Sequence, residues 1–119
     1  MFQLEFYEFA NGKQPVSEFL DSLDSRMAAK LVSLMEILEE KGPGLRMPYS
    51  EFLDDGIFEL RCKLGNNITR VLYFFYFGRR IVITNGFVKK TNKTPAREIQ
   101  LAKDRRRDWI ARFGADNTD

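Results

Sequence analysis

The chain has 119 residues, which predicts a single domain over residues 1–119, and its 44% hydrophobic and 30% charged residues are typical of a soluble globular protein. It contains no histidine and one cysteine, which excludes histidine-dependent nucleases, Ser-His-Asp hydrolases and an internal disulfide. Charged residues within residues 1–20 argue against a signal peptide, and no apolar run is long enough to cross a bilayer, so we expect a cytoplasmic protein.

The charge is unevenly distributed along the chain, although its formal net value is only +2. Residues 1–60 contain five Lys and Arg against twelve Asp and Glu, whereas residues 61–119 contain fourteen against five. Such a split indicates either an anionic partner for the second half or two halves that pair with each other. The sequence leaves both interpretations open.

The first half of the chain predicts one strand and two helices. Alternating apolar residues predict a strand over 2–9, and a proline at its first position favours a helix over 15–23. Asp24 is a candidate N-cap for a second helix, which ends at Gly42. An apolar stripe along this second helix predicts a side that faces the core. The stripe consists of Met27, Leu31, Leu34, Met35 and Leu38.

The second half predicts three strands and a last helix. Residues 43–55 are rich in glycine, proline and acidic turn signals, and we expect a loop there. The expected strands cover residues 57–64, 68–77 and 81–88. A helix is expected from Thr94 to about Gly114, followed by a frayed tail over 115–119. Closely spaced strands must be antiparallel, so the order predicts an α+β domain: a compact antiparallel sheet with two N-terminal helices and a C-terminal helix. We expect the helices mainly on one sheet face and the other face partly open.

Strand alternation places basic side chains together on one face of this sheet. Glu59, Arg61 and Lys63 share a face of the strand over 57–64. If the following hairpin has a two-residue loop, Arg70 lies on the same face; a three-residue loop would loosen this register. Neighbouring arginines repel each other, and such a cluster is tolerated where an anionic ligand supplies the missing charge.

Three lysines extend this basic region beyond the last strand. Lys89, Lys90 and Lys93 follow the strand closely, with few acids near them, and we expect them at the rim of the sheet beside the arginines. A concave surface of this kind is typical of a site for a phosphate backbone, with Lys63, Lys89 and Lys93 as RNA-binding candidates. Three aromatic residues on the same side either stack RNA bases or, as the favoured interpretation, fill the core. They are Phe74, Tyr76 and Phe87.

A site without histidine or metal can still cleave RNA, because the substrate 2′-OH is itself a nucleophile. The protein then has to align that oxygen and stabilise the charge of the transition state, for which arginine is well suited. The catalytic candidates are Arg61 and Arg70 as charge stabilisers, Glu59 as the acceptor of the 2′-OH proton, and a lysine as the general acid. Neither a metal site nor a cofactor is expected.

Three segments of the chain resemble one known superfamily: residues 54–75, DDGIFELRCKLGNNITRVLYFF; residues 81–95, IVITNGFVKKTNKTP; and residues 98–109, EIQLAKDRRRDW. Their features are an E-L-R strand after an acidic turn, an R-V-L-Y strand, and G-F-x-K-K-T-x-K-T-P before an E-I-x-x-A helix. From the first strand to the last helix, the chain resembles the RelE/ParE toxin superfamily and, within it, the phage-derived, HigB-like branch.

This resemblance implies the toxin of a type II toxin–antitoxin pair, with a RelE-like fold. Such proteins are ribosome-dependent endoribonucleases that cleave translated mRNA, and a cognate antitoxin, often a helix-turn-helix protein, neutralises them. The basic positions of the family fall on Arg61, Arg70, Lys89 and Lys90. Members often use a histidine or a tyrosine near the C terminus; this chain has neither at those places, so Lys90 or Lys93 is the candidate general acid.

Two other functions remain open at this point. The ParE-like branch inhibits DNA gyrase by protein contact and cleaves nothing, and a non-toxic partner-binding protein would use its charge split only to bind its antitoxin. The run Arg105-Arg106-Arg107 in the last helix is either a solvated face or a contact with ribosomal RNA. We expect Arg70→Ala to abolish mRNA cleavage and to leave folding largely intact.

Overall fold

The computed structural model describes residues 1–88 and 93–114 of the chain, which form a five-stranded sheet with helices on both faces. The elements are β1 (Gln3–Phe6), α1 (Pro15–Asp21), α2 (Ser25–Lys41), β2 (Ser50–Asp54), β3 (Ile57–Leu64), β4 (Asn67–Tyr76), β5 (Arg80–Val88) and α3 (Ala96–Phe113). None of the helices in these two ranges is both long enough and apolar enough to cross a membrane.

The sheet has the strand order β1-β5-β4-β3-β2. The antiparallel expectation holds for β2 to β5, which pair in sequence through short connections. It is wrong for β1, which pairs with β5 in parallel. No turn joins these two strands, because both helices and three strands lie between them in the chain. Their relative direction is therefore set by the whole fold.

The segment expected to be a loop contains a strand. Gly42–Gly44 forms a short 3₁₀ turn after α2, and β2 then pairs with β3 from Ser50 onwards. Its polar ends and adjacent glycine and proline hide the strand signal. Because β2 covers one edge of β3, it also places Glu51 directly opposite Glu59.

Two separate apolar cores lie on the two faces of the sheet. Helices α1 and α2 pack on one face against buried strand residues such as Leu60 and Val71. Helix α3 packs on the opposite face, where Trp109 contacts Phe74. The expectation that the helices lie mainly on one face is therefore corrected for α3: its own apolar stripe needs a partner, and the second face supplies one.

The β3–β4 hairpin has the short loop on which the predicted register depends. Leu64 pairs with Asn67, so the loop is Gly65-Asn66, and Gly65 has φ +62°. Positive φ is the backbone conformation that glycine adopts at least cost in a tight turn. This register places Arg61 directly opposite Arg70, on the face of the sheet that α3 covers.

Candidate active site

Glu59 lies at the centre of a buried cluster of charged side chains. Its Oε2 is 3.5 Å from Nε of Arg61, and its Oε1 is 3.6 Å from Nη1 of Arg70. The Glu59 and Arg70 side chains are 1% and 0% exposed, respectively. We call Glu59, Arg61 and Arg70 the Arg–Glu–Arg cluster; a carboxylate held between two guanidinium groups removes the repulsion that the sequence implies between the two arginines.

Two further residues lie close to the Arg–Glu–Arg cluster. The Thr94 hydroxyl, just before α3, donates a hydrogen bond to Glu59 Oε1. On the other side, Glu51 Oε2 lies 4.0 Å from Nη1 of Arg61. Glu51 and Glu59 are opposite each other on adjacent strands, and Arg61 interacts with both carboxylates. Glu51 and Thr94 carry no sequence signal for this place: β2 lacks a strand pattern, and Thr94 shows only its position at a helix start.

The predicted grouping of the two arginines is present, but the cluster is less open than expected. Arg61 keeps 21% of its side chain exposed, whereas Arg70 is fully buried. From the sequence, both guanidinium groups are expected on a concave, solvent-open surface with few carboxylates near them. In the structure Glu59 occupies the position between them, because α3 and its preceding residues cover this face of the sheet.

The predicted lysines fall into two groups. Lys63 is exposed on the same face of β3 as Arg61, and Lys93 is exposed shortly before α3. Lys89 and Lys90 lie outside the described residues.

The aromatic side chains near the cluster fill the second core. Phe74 is buried against the Trp109 ring, and the Tyr76 ring lies 5.1 Å from the same tryptophan. Tyr76 also donates a hydrogen bond to the Gly114 carbonyl. Phe87, opposite Arg70 in the register, is partly buried against this core. The core-filling interpretation is therefore confirmed for Phe74 and Tyr76.

Most of the arginine run in α3 contacts the protein itself. Arg105 donates a hydrogen bond of 2.8 Å to the Thr84 carbonyl, and Arg106 pairs with Asp55 at 2.8 Å. Burial lowers the pKa of Arg105, and the nearby Tyr7 hydroxyl opposes that change. Arg107 alone is largely exposed, with its ion pair to Asp104 on the helix surface. Arg105 and Arg106 are thus not part of a fully solvated face, and a contact of the run with ribosomal RNA stays a prediction.

Many acids of the first half pair with bases of the second half. Beside the Arg–Glu–Arg cluster, Arg80 pairs with Glu5 at 3.0 Å and Lys103 pairs with Asp54 at 2.6 Å. The charge split therefore serves the fold in part. The residues described by the structure contain no group of three or more His, Cys, Asp or Glu side chains that could hold a metal ion.

A family of phage-derived proteins matches this chain. The sequence model of the family described as "Phage derived protein Gp49-like (DUF891)" matches residues 18–107. This range is most of the chain and includes the whole Arg–Glu–Arg cluster. The chain belongs to the Gp49-like family. This membership confirms the resemblance drawn from the three sequence segments.

Similar proteins agree with this assignment. The Gp49-like chain is 32% identical over 111 residues to the proteins called probable endoribonuclease HigB1 in two strains of Mycobacterium tuberculosis, a match that covers 92% of this chain and 85% of theirs. Its fold is similar to that of one chain in the crystal structure of the archaeal RelE–RelB complex from Pyrococcus horikoshii. The TM-score is 0.54 and the identity 19%, and the match covers 77% of this chain and 98% of the other. This second likeness shows a shared RelE-like fold.

Proposed function

We propose that this Gp49-like protein is the toxin of a type II toxin–antitoxin pair and an endoribonuclease that cleaves mRNA on the ribosome. The observation that carries the proposal is the pairing of Arg61 and Arg70 directly across β3 and β4, around one carboxylate. Two adjacent guanidinium groups can hold a phosphate in several places at once. The name of the HigB1 relatives, probable endoribonuclease, supports the same activity.

In the proposed mechanism, an RNA phosphate replaces Glu59 as the partner of the two arginines. Arg61 is the first contact, because it is the member of the cluster that reaches solvent. As the phosphate engages Arg61 and then Arg70, the arginines are already in place for the charge that grows on the phosphate oxygens. The reaction needs no metal, because the nucleophile is the 2′-OH of the substrate.

The same exchange gives Glu59 its catalytic role in this proposal. Once the arginines hold the phosphate, the carboxylate is released from both ion pairs and accepts the proton of the attacking 2′-OH. Lys90 supplies the proton to the leaving 5′ oxygen, and Lys63, Lys89 and Lys93 bind neighbouring phosphates. The partners in this proposal are the ribosome and mRNA, together with a cognate antitoxin, in the cytoplasm.

Arg61→Ala tests the proposal with little disturbance of the fold, since Arg61 is partly exposed and Glu59 keeps Arg70. We expect cleavage to fall by about 100-fold or more, the usual effect of losing one donor to a transition-state anion. The measurement maps 5′ ends on cellular mRNA after induction of each variant. The matched control is Arg26→Ala, an 81% exposed arginine in α2, which should cleave as the unmodified protein does. Undiminished cleavage by Arg61→Ala contradicts the proposal.

Glu59→Gln tests whether Glu59 is a catalytic base or only a counter-ion of the two arginines. Glutamine keeps the side-chain shape and can accept the Thr94 hydrogen bond, but it is uncharged. We expect tighter binding of a non-cleavable 2′-O-methyl RNA, since a competing anion is removed, and cleavage slower by about 100-fold or more, since the base is lost. Faster cleavage would show that Glu59 only neutralises the arginines. The two readouts are fluorescence anisotropy for binding and single-turnover cleavage of the matching RNA on programmed ribosomes.

A further inference from the structure

A groove on the other side of the sheet lies between α2 and the end of β3, with a volume of about 690 Å³. One wall is a stripe of α2, whose members recur at spacings of three and four: Lys30, Leu34, Ile37 and Lys41. The opposite wall comes from the loop between α2 and β2 and from β3. Its main members are Leu45, Tyr49, Arg61 and Lys63.

The groove combines an apolar floor with a cationic rim. Leu34 and Leu45 form part of the floor, while the exposed Lys30 and Lys41 lie at the rim. Among the described residues that line it, none is acidic. This is unusual for its surroundings, because residues 1–60 contain twelve acids and only five bases. A site that collects cations in an acidic part of the chain is complementary to an anionic partner.

Exposed apolar side chains favour a protein partner over a nucleic acid. Ile37 is 40% exposed and Tyr49 is 53% exposed, and both line the groove. Phosphate groups would use the lysines but would leave these apolar surfaces against water. A peptide with one apolar and one acidic face satisfies both, because buried apolar anchors inside a charged rim are the usual anatomy of a protein interface.

The dimensions of the stripe indicate the form of the occupant. From Lys30 to Lys41 it extends over eleven helical steps, about 16 Å at 1.5 Å per residue. That length corresponds to about three turns of a second helix lying along α2, whose apolar side chains at spacings of three and four would reach the floor.

We propose that this groove binds an acidic amphipathic helix of a protein partner. Its apolar side chains pack on Leu34, Ile37 and Leu45, and its carboxylates pair with the α2 lysines Lys30 and Lys41. The proposed function identifies this partner as the antitoxin; the groove itself is independent of that identification.

Arg61 lies between the groove and the candidate active site. It lines the groove at the β3 wall, but its guanidinium group lies near Glu51 and Glu59 on the α3 side of the sheet. The bound helix therefore contacts the wall of the groove and leaves the charged end of Arg61 to the Arg–Glu–Arg cluster.

The test uses an 18-residue model peptide with leucines at spacings of three and four, glutamates on the opposite face and alanine elsewhere. We expect the full chain to bind it with micromolar affinity, with NMR shifts confined to the α2 stripe and the end of β3. Binding should weaken at least tenfold in Ile37→Asp, and also in Lys41→Glu, whose exposed site tolerates the change. The matched control is Ile110→Asp in α3: Ile110 is 37% exposed, similar to Ile37, and lies outside the groove, so peptide binding should not change.

Further probes give the outcomes that overturn the inference. A peptide with lysines in place of the glutamates, and one with alanines in place of the leucines, should each bind at least tenfold more weakly. Absence of binding, or shifts outside the groove, refutes the proposal, and stronger groove shifts with a twelve-residue oligouridine assign the groove to RNA instead. Because no cleavage is measured, peptide binding by a chain that fails to cut mRNA would refute the proposed function alone.

Discussion

At the scale of single residues, Arg70 has two roles that conflict in a mutagenesis experiment. It is fully buried and paired with Glu59, so it supports the fold, and the proposed mechanism also uses it to hold the phosphate. The expectation from sequence that Arg70→Ala leaves folding largely intact rests on the second role alone. Burial changes that expectation, since the variant leaves a buried carboxylate without one of its cations.

We therefore predict that Arg70→Ala lowers the free energy of unfolding by about 3–5 kcal/mol, the usual cost of breaking a buried ion pair. The double variant Glu59→Ala, Arg70→Ala should be less destabilised than the sum of the single variants, with a coupling of about 0.5–3 kcal/mol. Urea unfolding of the four proteins measures this cycle. Strict additivity would show that the two side chains do not interact in solution.

The shared face of Arg61 and Arg70 was predictable, and the burial of Arg70 was not. Strand alternation and a glycine turn are local features, and they are sufficient to place Arg61 opposite Arg70. Whether water reaches that face depends on where α3 packs. This position is set by contacts between residues far apart in the chain, such as those of Trp109 with Phe74.

At the scale of elements, a bulge in β5 explains one arginine of α3. The β4–β5 register passes from Leu72 with Asn85 to Tyr73 with Ile83, so Thr84 has no partner in the ladder. Arg105 donates a hydrogen bond to the Thr84 carbonyl, and so supplies a donor to a carbonyl at the position that the β4–β5 ladder skips.

We predict that Arg105→Ala lowers the free energy of unfolding by about 1–3 kcal/mol, because a largely buried carbonyl loses its donor. Arg107→Ala, two residues along the same helix, should change it by less than about 0.5 kcal/mol, because Arg107 makes only an exposed ion pair. Thermal unfolding of both variants decides the matter; equal effects would mean that the hydrogen bond to Thr84 contributes little.

A close approach between α1 and β5 gives a second prediction at this scale. A Cβ atom at Gly86 would lie 2.6 Å from the Phe19 ring and 3.0 Å from Val71. We expect Gly86→Ala to destabilise the protein by about 1–3 kcal/mol through overpacking. Gly44→Ala is the control, since a Cβ there meets nothing within 4 Å. The measurement is denaturant unfolding, and a stable Gly86→Ala protein would show that α1 shifts easily.

The elements with a strong period were predictable, and the others were not. The stripe of α2 is visible in sequence because one side of that helix packs on the core, and β3 alternates because its apolar residues face α1 and α2 while Glu59, Arg61 and Lys63 face α3. Strand β4 is evident from its run of β-branched and aromatic residues. Strand β2 lacks such a pattern: it lies at the sheet edge, and β3 supplies its hydrogen-bond partners. The parallel direction of β1 depends on the long connection between β1 and β5, which includes both early helices and three strands. No local sequence pattern indicates that direction.

At the scale of the whole molecule, the chain contains no histidine, which is the side chain whose ordinary pKa lies nearest neutral pH. Hydrogen bonds lower the carboxyl pKa of two acids: the main donor is the Tyr7 hydroxyl for Asp108 and the Arg26 amide for Asp24. Burial raises the pKa of Tyr73 and, likewise, of Tyr7 and Cys62.

We predict a free energy of unfolding that is nearly constant between roughly pH 5 and pH 7. Asp108 and Asp24 have a lower pKa in the folded than in the unfolded protein. The stability that they contribute is present above their unfolded-state pKa and is lost as pH falls through their folded-state pKa. The tyrosines and the thiol have a higher pKa in the folded protein, so their contribution is complete below the unfolded-state pKa and is lost as pH rises through the folded-state pKa. Urea unfolding across pH measures both limits, and Asp108→Asn should reduce the loss on the acid side. A steep change near pH 6 would contradict this assignment.

The parallel pairing of β1 with β5 has a consequence for synthesis of the protein. Gln3 pairs with Arg80, and Phe6 pairs with Ile83, so β1 cannot form its pairing until β5 has been synthesised. A nascent chain that has released its N terminus and both early helices still lacks a partner for that strand. Because β4 and β5 follow β1, α1, α2, β2 and β3 in the chain, the sheet that supports the arginine pair is completed only after β5 has been synthesised.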